Sequence, residues 1–325
     1  MSEIKSDLLR ESFDECSPTR DGYGKALEKL AKQDKRIVVV DADLASSTRS
    51  LWFSKHAPER FFYAGISEQN AVGLAVGLAL EGKKAFVSSF AIFLTGRAFE
   101  IIRQSVCYNN VPVKIVGSHA GILTGKDGPT AQATEDIAIM RCLPRMNIIV
   151  PADAVEAEHA TMFLGDFEQP CYLRTNREPT PLIFNEHSYR FEFGKGIQLT
   201  DGRDATIIAC GALVHIAIEA SRELAKKGIG VRVINMHTIK PIDRKIIEEA
   251  AKETKAIITA EDHQIIGGLG SAVAEVLAEE NLRVRFKRIG LRGFAESGSP
   301  ADLYRKYGFT AERLASEVEE LLKLG

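Results

Sequence analysis

The sequence predicts an α/β protein built as two parallel-sheet α/β domains, and three observations predict it. Short β-branched apolar runs alternate with helical stretches along the whole chain, as in a parallel sheet with crossover helices. The alternation breaks once, across residues 178–203, where Pro, Gly and polar residues accumulate as in a linker. The chain has 325 residues, 45% of them hydrophobic and 26% charged, which is enough for two cores. The domains are expected at 1–188 and, smaller, at 189–325.

In the first series IVVVD (37–41) opens the sheet as a nearly pure β-branched run, followed by KAFVS (84–88), VKIVG (113–117), NIIV (147–150) and CYLR (171–174). Helices are expected to begin near Gly22, Glu68, Gly96 and Asp153. In the second series strands are expected at 205–209, 230–235, 256–261 and 284–289, with helices at 213–227, 243–254 and 268–279 between them.

The helix in GISEQNAVGLAVGLAL (65–80) is unusual because Glu68 heads a run of small and apolar residues with no further charge before Glu81. Such a helix belongs in a core or a subunit interface, where another backbone packs closely on its glycines and alanines. Glu68 then stands at a dry boundary, where a carboxylate must be paired, protonated or poised to exchange a proton with a ligand. The plainer reading is a first-turn acid that complements the helix dipole behind Ser67 as N-cap.

A net charge of -2 implies no basic surface for nucleic acid. The N-terminal MSEIKSDLLRESFDE has no apolar core of signal-peptide length, and no run approaches the ~18 apolar residues of a membrane span, so a cytoplasmic location is expected. Cys16, Cys107, Cys142, Cys171 and Cys210 are odd in number, scattered and without a CxxC pair, so they read as reduced cysteines rather than a disulfide framework or metal site.

Open α/β sheets bind ligands beyond the C-terminal ends of their strands. Here those ends are polar: ADLASSTR, SFAIFLTGR, SHAGILTGKDGPTAQATED and Arg174. Phe90 and Phe93 offer a flat wall for a ring, although filling a sheet edge is the commoner use of such residues.

The segments DADLASS, GISEQN, SFAIF, SHAG, GKDGPTAQ, MRCLPRMNIIVPAD and AEDHQIIGGLG, taken in order and spacing, resemble the C-terminal half of transketolase carried as a separate subunit. The resemblance spans nearly the whole chain. It implies a pyrimidine-binding domain of thiamine diphosphate enzymes followed by the smaller transketolase C-terminal domain. The family's GDG motif, which holds the diphosphate and a divalent metal, is missing. An N-terminal subunit would therefore bind the diphosphate and Mg2+, in an α2β2 heterotetramer with a homodimeric core. The implied activity is transfer of a two-carbon ketol unit from a ketose phosphate to an aldose phosphate.

The resemblance also gives residues their roles. Glu68 would bond the pyrimidine N1' and stabilise the imino tautomer, and Phe90 and Phe93 would wall the ring. Asp43 and Leu44 would lie beside the cofactor, helix capping being the plainer role for Asp43. Arg20, Ser47, His119 and Arg174 would hold phosphate, an assembly of two forks, a hydroxyl and a ring that can be charged near neutral pH. His119 would also serve catalysis, and Asp127 would meet the donor's C2 hydroxyl, or simply form the turn in KDGP. Two positions depart from the family: Ala131 replaces its second histidine, and Gly96 stands where many members carry a tyrosine. His263 in AEDHQ is expected at a surface or interface.

The nearest enzymatic rivals are the beta subunit of a 2-oxo acid dehydrogenase, of nearly this length and architecture, and 1-deoxyxylulose 5-phosphate synthase, which normally carries all its domains in one chain. A non-catalytic, transketolase-like regulatory subunit is the alternative of a different class. DGPTAQ and the arginine set favour a sugar phosphate.

Overall fold

The computed structural model describes residues 8–323. Strands β1 (Ile37–Asp41), β2 (Phe61–Tyr63), β3 (Lys84–Phe90), β4 (Lys114–Ser118), β5 (Asn147–Ile149) and β6 (Cys171–Arg174) come from the first series. The second supplies β7 (Ile197–Thr200), β8 (Ala205–Ala209), β9 (Val231–Asn235), β10 (Thr238–Lys240), β11 (Ala256–Gln264) and β12 (Arg285–Leu291). The first sheet runs β10-β5-β6-β4-β3-β1-β2 and the second β12-β11-β8-β9-β7. Each is parallel except for one antiparallel edge strand, β10 in the first and β7 in the second. Helices cover both faces, so every residue of β1, β4, β6, β8 and β9 is buried, which is why these strands read as continuous apolar runs. Strand β10 leaves the second series to pair with β5, so the two domains share a sheet.

Two expectations are corrected, the start of the Gly96 helix and the surface place of His263, and two are sharpened. The helix placed near Gly96 begins at Ala91 and ends at Arg97, because β3 runs on to Phe90 and hands the chain directly to it. The Glu68–Leu80 helix buries Glu68, Ala71, Val72, Ala75 and Val76, yet beside Gly73 and Gly77 there is open space, and Ile66 and Leu80 are exposed. It is therefore half buried, with a smooth apolar face turned outward. His263 is fully buried. Its Nε2 accepts the Ala138 N–H at 3.3 Å, which leaves Nδ1 to donate to the Gln264 carbonyl at 2.7 Å, so it joins the two domains.

The linker, 178–203, is well packed. Phe184 and Tyr189 are buried, and Phe191 and Phe193 each lie 5.4 Å from the Phe163 ring. Asp153, N-cap of the Ala154–Leu164 helix, also accepts from the Ile183 and Phe184 amides. Glu156 accepts from Tyr189 Oη at 2.5 Å, Asn235 Nδ2 at 2.8 Å and the Ala152 amide at 2.7 Å. Glu156 thus ties the segment to both domains.

Burial pushes the Glu156 carboxyl up from 4.5 to about 7. A raised acid binds its proton more tightly when folded, so its stabilising contribution is complete below about pH 4.5 and is lost as pH rises through about 7. Relative to Glu156→Gln, wild-type stability is expected to fall by about 1 kcal/mol per pH unit between about pH 5 and 7 and to level off above. Denaturant midpoints of both proteins across pH 5–8 measure it, and parallel curves would refute it.

Candidate functional site

In the first sheet the strand order reverses between β1 and β3, where open α/β sheets form their ligand crevice. Asp41 ends β1, Phe90 ends β3, and the Glu68–Leu80 helix starts just after β2. Asp41 is fully buried and accepts from the Leu44 amide, Thr48 Oγ1 and Ser50 Oγ, which fixes the loop that carries Asp43, Leu44 and Ser47. Burial raises its pKa. Asp43 is exposed, at φ 63°, a left-handed conformation that costs a non-glycine residue energy.

Ser67 makes no cap bond to the helix; its hydroxyl donates to the Ala64 carbonyl. Glu68, 4% exposed, is instead paired with Arg97, whose Nη1 donates to Oε1 at 3.0 Å. The Arg97 guanidinium lies 4.3 Å from the Phe93 ring centre. Phe93 stacks on Phe90 at 5.7 Å, and Phe90 on the His119 imidazole at 3.8 Å. Arg20 Nη1 is 3.5 Å from His119 Nε2 and donates to the Ser47 carbonyl at 2.8 Å. Contacts therefore run unbroken through Glu68, Arg97, Phe93, Phe90, His119, Arg20 and Ser47.

Because an arginine cannot accept, His119 Nε2 faces it as the acceptor and Nδ1 carries the proton toward Ser118 Oγ, 3.0 Å away. Burial, then Arg20, Arg177 and Arg49, push the His119 pKa down to about 3. The expectation of a ring charged near neutral pH is corrected: His119 is a neutral imidazole held among cations. The same burial and Arg49 lower Arg20 to about 10. Arg20 Nε is buried without a partner among the described residues. The cluster is thus short of negative charge and of acceptors, which suits an anion.

Arg174 is held mainly by its own chain. It is 7% exposed, and its fork is committed to Asp136 (Nε to Oδ2 at 2.8 Å, Nη2 to Oδ1 at 3.1 Å) and to the carbonyls of Ala133 and Asp262. Of its nitrogens only Nη1 is left uncommitted for a phosphate. Arg177, three residues on and beyond the strand, faces the cluster and donates to both Asp127 oxygens at 3.0 Å. Arg49 faces the cluster too; it pairs with Asp21 at 2.6 Å. The sequence signal for Arg177 was available: Arg174 is the last residue of β6, whereas ligand-facing residues lie in the loop beyond a strand end. Ala131 and Gln132 are buried, and beside Gly96 there is open space.

Among the described residues no group of three or more His, Cys, Asp or Glu side chains is placed to hold a metal ion, and no helix is long and apolar enough to cross a membrane. All five cysteines are free.

This two-domain α/β chain carries two stacked phenylalanines and a histidine–arginine cluster at its switch point. Residues 17–181 match the transketolase pyrimidine-binding domain, and residues 194–314 match the transketolase C-terminal domain. The chain is 46% identical to a putative transketolase C-terminal section of Methanocaldococcus jannaschii, over 94% of its own length and 96% of that protein. It is 38% identical to one of the subunits of the apulose-4-phosphate transketolase of Phocaeicola vulgatus, over 94% and 97%. A solved split-gene transketolase, described as an inactive β4 tetramer, superposes with a TM-score of 0.86 at 45% identity, covering 94% of this chain and 98% of that one. The chain belongs to the transketolase family, whose members depend on thiamine diphosphate.

Proposed function

We propose that this chain is the C-terminal subunit of a split transketolase, transferring a two-carbon ketol unit from a ketose phosphate to an aldose phosphate. The observation that carries the reading is the continuous row of contacts from a dry carboxylate, across two stacked phenylalanines, to an arginine and histidine cluster.

Thiamine diphosphate supplies the nucleophilic thiazolium carbon. The residues here fit its aminopyrimidine end: Phe90 and Phe93 give it a face, and Glu68 gives N1' a dry partner. Asp43 and Leu44 line the approach. Arg20, Ser47 and Arg177 take the phosphate, and neutral His119 offers a hydrogen-bond partner to a substrate oxygen. Asp127, tethered by Arg177, orients a donor hydroxyl. The chain lacks GDG. Diphosphate and Mg2+ are therefore assigned to an N-terminal partner, in an α2β2 assembly whose homodimeric core uses the exposed Ile66 to Leu80 face. The functional units divide at 188/189. A 45% identical chain assembles alone as an inactive β4 tetramer, as expected of half a site.

The test mixes the chain with its N-terminal partner, thiamine diphosphate and Mg2+, and follows ketol transfer from xylulose 5-phosphate to ribose 5-phosphate. Activity is expected only in the mixture, and activity of this chain alone would overturn the split site. Arg177→Ala is expected to raise KM for phosphorylated donors about 10- to 100-fold, as loss of a charge-assisted contact does, with little change for unphosphorylated ones. Equal losses on both donor types would assign Arg177 a structural role.

A further inference from the structure

Arg97 is the residue that the family reading does not use, although it makes the closest contacts in the pyrimidine wall. It reaches Glu68 with Nη1 at 3.0 Å and covers Phe93 at 4.3 Å, while 54% of its side chain remains exposed. The Glu68 side chain is only 5% exposed. An ionised carboxylate so far from water requires a cation, and among the described residues Arg97 is the one paired with it.

The guanidinium is planar, lies on an aromatic face and directs an N–H at a buried carboxylate. An aminopyrimidine bound between Phe93 and Glu68 would need the same two contacts, and both cannot be made at once. Space is at hand for the arginine to leave: half its side chain already faces solvent, and neighbouring Gly96 has open space where a side chain would stand. Its helix is anchored independently, through Ala91, Leu94 and Thr95, so displacing Arg97 does not require the backbone to move.

We propose that Arg97 is a placeholder for the aminopyrimidine: in the free chain it occupies the ring's place on Phe93 and neutralises Glu68, and thiamine diphosphate binds by displacing it. This rests on the family reading of Glu68 and Phe93, and it adds a competitor built into the chain. Removing the competitor should favour the ligand and disfavour the free chain. Arg97→Lys, which keeps the charge but loses the flat fork, should fall between wild type and Arg97→Ala.

The experiment measures thiamine diphosphate binding by calorimetry, and melting of the isolated chain, for wild type, Arg97→Ala, Arg97→Lys and Glu68→Ala, with binding read in the presence of the N-terminal partner and Mg2+. Arg97→Ala is expected to bind about three- to tenfold tighter than wild type, the size of a half-exposed ion pair with a cation–π contact, and to melt lower when free. Equal or weaker binding by Arg97→Ala, with wild type binding normally, would overturn the placeholder and leave the cofactor reading standing. Failure of wild type to bind, or Glu68→Ala binding as well as wild type, would overturn the cofactor reading itself.

Discussion

Glu68→Ala is expected to lower ketol transfer by the reconstituted enzyme about 10²- to 10⁴-fold, the range typical for loss of a positioned proton-exchanging group. The fold should survive. Glu68 begins its helix without anchoring the hydrophobic core: Ala71, Val72, Ala75 and Val76 make that packing, and the partner Arg97 is half exposed. An exposed arginine that loses such a partner is resolvated at little cost. Near-wild-type thermal unfolding combined with a collapsed kcat is therefore the expected signature. Glu68→Gln separates two roles. The amide can still meet the pyrimidine edge but cannot share a proton with it, so cofactor affinity should recover more than kcat. If Glu68→Gln restores both equally, the carboxylate only positions the ring.

What was legible in the sequence follows from where each residue sits. The strands that open the two series were readable because parallel strands covered on both faces are continuous β-branched runs: IVVVD is buried at every position. The short strands β2, β7 and β10 and the C-terminal Pro300–Tyr307 and Ala311–Lys323 helices were not anticipated. Strand β10 has three residues and pairs across the domain boundary, so its partner is not local. The packing of residues 178–203 was not legible because prolines and polar residues signal turns, whereas Phe191 and Phe193 pack against Phe163 far upstream. In the site, Glu68, Phe90, His119 and Arg20 were singled out and do lie in one row of contacts. Arg97 and Arg177 were missed. Nothing local marks an arginine as stacked on a ring or turned into a cluster; that depends on which loops converge at the switch point.

Arg174 makes the same argument in energetic terms, and its removal is expected to have the largest effect on stability. Asp136 is 1% exposed, and Tyr172 Oη donates to it at 2.6 Å beside the Arg174 fork. Coulombic attraction and hydrogen bonding to Arg174 hold the Asp136 pKa down despite a larger opposing cost of burial. Arg174→Ala leaves that carboxylate buried with its charge uncompensated, which costs about 3–5 kcal/mol. It also strips the Asp262 carbonyl of a donor at 2.9 Å, loosening the contact between the first sheet and β11. A fall in melting temperature of roughly 5–15 °C is expected. Asp136→Ala with Arg174→Ala should cost less than the sum of the single losses, because the double variant leaves no orphaned charge. Below its melting range, Arg174→Ala should keep a near-wild-type KM for phosphorylated donors, the opposite of Arg177→Ala. A large rise in KM with unchanged melting would return Arg174 to the phosphate site, and Asp136 would then have to find its counter-charge elsewhere.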